Sequence, residues 1–387
     1  MSYLIEEGAR RALMIVTALL TMVGLALSVS PAMAAPPAAP PNGSAVTVMT
    51  RNLYLGADLG PAISAPDVCA AIDAGGQILN DVDASNFPQR AKLLADEIAG
   101  AKPDLVGLQE VALWRFQAQS DFTATPATTV RYDFLQLLQD ELQARGADYT
   151  VAVVQNEFDQ ELPADRDQSD ATNEFICGAD EDGRLTMRDV ILVRDKSDVT
   201  VSNPQAGHFQ NLYGVVLGGA IPIDVARGWV SVDAHAKKSD FHFVNTHLEA
   251  FGDPAIREAQ ARELFAPGGP LTTPGQQILV GDINSGGPAD RVGTGFTTPG
   301  DEGAYNALTA DFGMTNLGAR QTCCYPDVFR SVIGDYRFDH TVDHVMAKPA
   351  VNQIRAYVTG NDPSVTVGGA LVASDHGGLV SKLKLTK

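Results

Sequence analysis

From about residue 45 onward, apolar and polar positions recur in short runs that predict strands, with a few helix-periodic segments between them. "AVTVMTRNL" (45–53) alternates Val46 and Val48 with small or polar neighbours and reads as a strand. "FPQRAKLLADEIAGAKP" (87–103) predicts a helix: Pro88 suits its first turn, Leu93, Leu94 and Ile98 share a face, and Gly100 with Pro103 ends it. "DLVGLQEV" (104–111) returns as a buried strand, and "RYDFLQLLQDELQAR" (131–145) puts Phe134, Leu135, Leu138 and Leu142 on one helical stripe. The runs at 149–154, 189–194, 228–235, 241–247, 277–282, 341–347 and 378–385 complete a strand-rich set, and a helix is expected at 253–265. The stretch 155–186 is polar, acidic and aperiodic, so the expectation there is a long surface loop. Many strands with few helices predict an α/β (α+β) fold in which two sheets pack face to face with helices outside.

The N-terminus follows a different pattern. Arg10 and Arg11 precede a long apolar stretch that ends in Ala32-Met33-Ala34, a small-residue cleavage pattern. The expected organisation is a signal peptide at 1–34, a Pro/Ala-rich linker at 35–44 and one domain at 45–387, exported after cleavage near Ala34. An uncleaved membrane anchor is the alternative, because the apolar stretch approaches spanning length.

Composition narrows the classes further. The 387 residues are 45% hydrophobic and 19% charged, enough apolar material for a packed core. A net charge of −19 leaves few bases for a phosphate-tracking face, which argues against a tight nonspecific DNA binder. It does not argue against phosphate chemistry in which a cation masks the repulsion. The four cysteines, Cys69, Cys177, Cys323 and Cys324, suit one or two disulfides in an exported chain. Three pairings are open; a bond between the neighbours would be strained, so at least one of that pair is expected to bond at long range.

Several expected strands end in polar residues that a bland fold would not need. Asn52 follows "VTVMTR", Glu110 follows "LVGLQ", and Asn245 with His247 closes "FHFVNTH". Asp282 and Asn284 close "ILVGDIN", Asp343 lies in "TVDHV", and Ser374-Asp375-His376 precedes "GGLV". Any one of these is ordinary turn chemistry. Six together suggest one site, and carboxylates with carboxamides suit a hard cation such as Mg²⁺, Mn²⁺ or Ca²⁺. Histidines beside carboxylates can move protons near neutral pH. No G-x-S-x-G elbow exposes Ser374, which disfavours a serine hydrolase.

In that order, N(52)…QE(109–110)…NTHL(245–248)…GDIN(281–284)…VDHV(342–345)…SDH(374–376) resembles the endonuclease/exonuclease/phosphatase superfamily of metal-dependent phosphohydrolases, over the chain from about residue 45. The resemblance implies a DNase I-like four-layered α/β sandwich of two mainly antiparallel sheets flanked by helices. It implies Glu110 as a metal ligand, with Asn52 and Asp375 near the same cation, and Asp282 and Asn284 as the pair that positions water and a phosphate oxygen. His247 would stabilise the phosphoryl group or protonate the leaving oxygen. His376 would be a base oriented by Asp343, with base work left undivided between Asp282 and His376. Asn245 and Arg188 are added as candidate substrate contacts. His344 departs from the family pattern and, like His208, His235, His242 and His340, reads as packing or surface.

The substrate stays open between nucleic acid, nucleotide and phospholipid head group. Basic and aromatic candidates for a nuclease are few (Arg51, Trp114, Arg115, Arg184, Arg188), and an exported phosphodiesterase is the default. "FQNLYGVVLGGAIPI" (209–223) is apolar enough to keep a sphingomyelinase- or phospholipase C-like enzyme in view. A catalytically dead ligand-binding relative is the non-enzyme alternative. No obligate protein partner is evident, and the expectation is a monomer.

Overall fold

The structure is a computed structural model that describes residues 43–168, 176–287, 301–318, 320–325, 338–368 and 371–386. The expected signal peptide and most of the linker lie outside the described residues. Gly43 and Ser44 at the linker's end are buried, where Ser44 accepts from Leu385 N at 2.8 Å.

Two large sheets form the inner layers. The first contains β1 (Ala45–Asn52), β2 (Leu105–Gln109), β3 (Leu113–Ala118), β4 (Thr129–Asp133), β5 (Tyr149–Ala164), β6 (Glu181–Arg194), β15 (Asn352–Thr359) and β16 (Gly378–Lys384). The second contains β7 (Val199–His208), β10 (Gly228–Ala236), β11 (Ser239–His247), β12 (Gln277–Asp282), β13 (Thr315–Asn316) and β14 (Asp343–Lys348). Strands β8 (Tyr213–Leu217) and β9 (Ile221–Val225) make a separate hairpin. Pairing is antiparallel except for β1 with β2 and β11 with β12.

The outer layers are helical. Helices α1 (Gly60–Ile63), α2 (Val68–Ser85), α3 (Phe87–Ala101) and α4 (Phe134–Ala144) accompany the first sheet, while α5 (Pro254–Glu263) and α6 (Gly303–Asn306) accompany the second. One core joins α2, α3 and α4 to the first sheet through Phe87, Leu94, Ile98, Phe134 and Leu138. A second core lies between the sheets, with Val46, Val48 and Ile191 facing Val230, Phe243, Ile278 and Val280. A third lies under α5, around Val244, Leu279 and Met346. This is the four-layered sandwich that the resemblance implied.

The sheets approach closely at one point. A Cβ on Gly107 would lie 2.5 Å from Val280 Cγ2 and 2.6 Å from Asn245 Oδ1, so only glycine fits there. Asn245 spans the gap: its amide donates to Leu108 O (3.0 Å) and Val190 O (3.2 Å), and its oxygen accepts from Gln109 Nε2 (2.6 Å).

Three expectations need correction. Of the stretch 155–186, residues 155–164 and 181–186 belong to two long strands, β5 and β6, paired from Tyr149↔Arg194 to Ala164↔Glu181, while 169–175 lie outside the described residues. Several of its acidic residues are partnered rather than solvated, as when Asp159 pairs with Arg184 (2.5 Å) and Arg115 (3.2 Å). The 18-residue α2, which buries Ile72, Ile78, Leu79 and Val82, was not foreseen at all, because glycines and acids dilute its apolar stripe. The disulfides are Cys69–Cys177, tying α2 to the residues just before β6, and Cys323–Cys324. With Cys69 and Cys177 bonded to each other, no long-range cysteine partner is left for Cys323 or Cys324.

Candidate active site

The alternating strands deliver their polar ends to one place. Across the second sheet His247 is directly opposite Asp282, and Asp282 directly opposite Asp343, so three predicted residues form a row across β11, β12 and β14. In the first sheet Asn52 pairs with Gln109, Glu110 follows at once, and Asp375-His376 precede β16 beside β1. The two sheet ends face each other. Within the second sheet Gly281 lets β12 lie close against β11, since a Cβ there would lie 2.1 Å from Thr246 O at a φ of +153°.

Asp282 is the hub. Its Oδ2 is 3.1 Å from Asn52 Nδ2 and 3.7 Å from Nε2 of both His247 and His376. Burial, then the nearby Asp343, pushes its carboxyl up to about 7. Asn52 Nδ2 also donates to Glu110 Oε1 at 3.1 Å, while Leu55 N donates to Glu110 Oε2 at 2.7 Å. Glu110 adopts a left-handed φ of 53°, the turn that aims it inward at the end of β2. Asn284, at φ 48°, sends its backbone N–H to Asp282 Oδ1 (2.9 Å) and one amide hydrogen to Leu248 O (2.9 Å).

The two histidines have opposite surroundings. His376 Nδ1 is 2.9 Å from Asp343 Oδ2, and Cys323 and Cys324 sulfurs lie 3.6 and 4.0 Å from its Nε2. Burial alone would depress its pKa, but Asp343, Asp375 and Asp282 hold it well above the ordinary value. His247 Nδ1 instead lies 3.1 Å from Arg227 Nη1. A guanidinium can only donate, so Nδ1 accepts and the imidazole proton sits on Nε2, toward Asp282. Burial, then Arg227, drives the His247 pKa well below the ordinary value, leaving a neutral ring.

The residues fit a hard cation. Glu110, Asp282, Asp343 and Asp375 crowd one region; burial and then Glu110 push Asp375 to about 6, against the pull of His376. Among the described residues the buried Oδ1 of Asp343 has no hydrogen-bond partner, and oxygens of Asp282 and Asp343 lie within 4.8 Å of each other beside His376. Such mutual repulsion among oxygen donors is what a divalent ion relieves.

Two predicted contacts belong elsewhere. Asn245 is fully buried with its polar atoms spent between the sheets, so it presents nothing to a ligand. Arg188 donates to Val111 O (2.8 Å), Ala112 O (3.2 Å) and Asp133 (2.6 Å), bracing the start of α4. His344 is buried as packing, held by Ser285 O (2.9 Å) and Asn316 (3.0 Å).

Sequence reasoning missed several supporting groups. Arg227 pairs with Glu249 (3.5 Å) as well as His247; burial would lower its pKa, but Glu249, Glu110 and Asp189 raise it. Asp189 lies among these charges, and its carboxyl is pushed up to about 8, by burial first. Fully buried Arg90 donates to Leu53 O (2.8 Å), Tyr54 O (3.0 Å) and Ala373 O (3.0 Å), pinning the loop after Asn52 to the one before Asp375. A signal for Arg90 existed: it lies on the same helical stripe as Phe87, Leu94 and Ile98. Arg227, a lone base before a strand, offered none.

No family model and no curated protein matches the chain. Solved structures do. An endonuclease/exonuclease/phosphatase family protein from Leptotrichia buccalis C-1013-b is 13% identical with a TM-score of 0.49, over 88% of this chain and 100% of that one. A mannosyl-6-phosphatase from Bacteroides thetaiotaomicron VPI-5482 is 17% identical with a TM-score of 0.47, over 87% and 99%. A truncated Caenorhabditis elegans TDP2 is 16% identical with a TM-score of 0.42, over 88% and 97%. In fold, the chain is similar to solved structures of endonuclease/exonuclease/phosphatase family proteins.

Proposed function

We propose that this protein is an exported, divalent-metal-dependent hydrolase of phosphate esters that acts as a phosphodiesterase. The observation that carries the reading is the meeting of Asp282 with His247 and His376, each 3.7 Å away, beside Glu110 and Asp375 where both sheets end. Glu110 and Asp375, with Asn52 beside them, would hold the cation. A bound divalent ion would offset the charge of the phosphodiester and polarise a P–O bond.

The chain's own groups supply the rest. Neutral His247 donates its Nε2–H to a phosphoryl oxygen and, with a depressed pKa, stabilises charge without giving up a proton. Asp282, at about 7, accepts the proton of the attacking water. His376, held as imidazolium by Asp343, sits beside Asp282, so the two share the transferred proton as one titrating pair. Asn284 holds Asp282 in place through its backbone N–H.

The test uses the purified chain with Mg²⁺, Mn²⁺ or Ca²⁺ and, separately, bis-p-nitrophenyl phosphate, plasmid DNA, RNA and sphingomyelin. Turnover of at least one that stops with chelator is expected. Turnover of none, or activity indifferent to chelator, removes the reading. Export predicts a mature form beginning near Ala35, checked by N-terminal sequencing of protein from the culture medium.

A further inference from the structure

A cavity of about 90 Å³ lies beside the candidate active site, between α1, α2, the β5–β6 ladder and the β8–β9 hairpin. Its wall is nearly all apolar, with Leu79, Trp114, Leu185, Leu217 and Ile223 among the lining residues, and it is half open rather than sealed. The hairpin faces it with Leu217, Ile223 and Val225 and turns Val216 outward, at 53% exposure. The polar groups in the wall are directed elsewhere. Trp114 Nε1 donates to Leu55 O (2.8 Å), Gln160 Nε2 to Glu161 O (2.9 Å), and Arg227 to His247 (3.1 Å). Water entering such a space would find few partners, whereas apolar groups gain by leaving water.

Two links tie this cavity to the site. Arg227 lines it and hydrogen-bonds His247. Trp114 lines it and bonds Leu55, whose own N–H holds Glu110 at 2.7 Å. A molecule whose phosphorus sits between His247 and Glu110 would therefore have an apolar recess next to one of its ester arms.

We propose that the cavity is a subsite for the alkyl arm of a monomeric phosphodiester, and that this arm determines substrate preference. The inference rests on the phosphoester reading above and names its substrate class: a phosphodiester with one alkyl substituent. Hydrolysis adds water across the P–O bond, leaving a phosphomonoester and an alcohol, with the water's proton going to the leaving oxygen by way of the Asp282–His376 pair.

The test is a series of p-nitrophenyl alkyl phosphates, from methyl through propyl to hexyl, with the Mg²⁺-loaded full chain. The expected result is a rise in kcat/KM of about three- to fourfold per methylene until the cavity fills. Leu217→Trp, from β8, and Ala62→Phe, from α1, each fill it; each is expected to abolish the chain-length gain while leaving methyl ester hydrolysis within about twofold. Calorimetric titration with hexyl and methyl phosphate reads binding without turnover, and tighter hexyl binding lost in both variants is expected. Methyl ester turnover without chain-length dependence, together with equal binding of the two phosphates, overturns the subsite but not the hydrolase. Absence of any turnover together with selective hexyl binding overturns the hydrolase but not the alkyl site. A parallel arm presents a long-chain ester in phosphatidylcholine vesicles; hydrolysis only there would show the arm being met at a membrane surface and would overturn the cavity.

Discussion

His247 and His376 are the same residue type, both buried, and each lies 3.7 Å from the same oxygen of Asp282. Their neighbours make them opposites. Asp343 at 2.9 Å, with Asp375 and Asp282, holds the His376 pKa above its ordinary value against burial, while burial and then Arg227 at 3.1 Å depress that of His247, whose proton sits on Nε2. In a low-dielectric site the burial and the charges around each ring decide which imidazole stores a proton and which only donates a hydrogen bond. Identity and distance to the hub do not assign a role; the surroundings of each ring do.

The sharpest way to break this comparison is to remove the oxygen both rings share. Asp282→Ala is expected to lower kcat on bis-p-nitrophenyl phosphate by about 10³–10⁴-fold with stability little changed, and His376→Ala by a similar factor. Wild-type-like turnover in either would refute the site assignment.

Asp343→Asn attacks one half of the comparison. It is expected to reduce kcat by about 10²–10³-fold and to lower the His376 pKa, because Asp343 is the leading group raising it against burial. Histidine NMR titration of the metal-free protein would show this, and an unmoved pKa would contradict the account.

Arg227 is the other half. Arg227→Met is expected to cost about 10-fold in kcat and to release the His247 tautomer, seen as a changed Nδ1 resonance; Arg227→Gln, which still donates, should retain the tautomer. A purely structural role would lower stability without moving that resonance.

The smallest effect concerns stability. Asp189 is pushed up to about 8, so the folded state binds more protons than the unfolded state between about pH 4 and 8. Stability should therefore be greatest below that window and fall as pH rises through it. Asp189→Asn should flatten this decline and stabilise the protein by about 1–3 kcal/mol at pH 8, measured by urea denaturation at pH 5 and pH 8. An unchanged pH slope would show that Asp189 does not carry the linkage.

The strands that carry the site were legible because each is buried. The runs predicted at 277–282 and 241–247 fall on β12 and within β11, and their polar ends are the ones that meet. The same reasoning failed at β5 and β6, where acidic residues are held by partners within the ladder and its neighbours. There Asp159, Glu161 and Asp182 find partners in Arg184, Ala127 N and Ser120, so a strand can be acidic without being a loop. It failed again at Asn245, whose position at a strand's end resembled that of His247. Asn245 lies two residues earlier on β11, the distance that separates the packed gap between the sheets from the place where His247 meets Asp282.

The sequence by itself determined strands β1, β2, β10, β11, β12, β14 and β16 and parts of β5 and β6, but not β3, β4, β7, β8, β9, β13 or β15. It also determined the polar termini at Asn52, Glu110, His247, Asp282, Asp343 and His376 and the hard-donor residue types they share. Those follow from local periodicity and residue type. Only the tertiary structure decided that Arg227 stands behind one histidine and Asp343 behind the other, that Arg188 and Asn245 are braces, and that an apolar recess adjoins the site. Each of these depends on residues far apart in the chain brought within a few ångströms, and pKa, tautomer and cavity are properties of that proximity, which no single segment encodes.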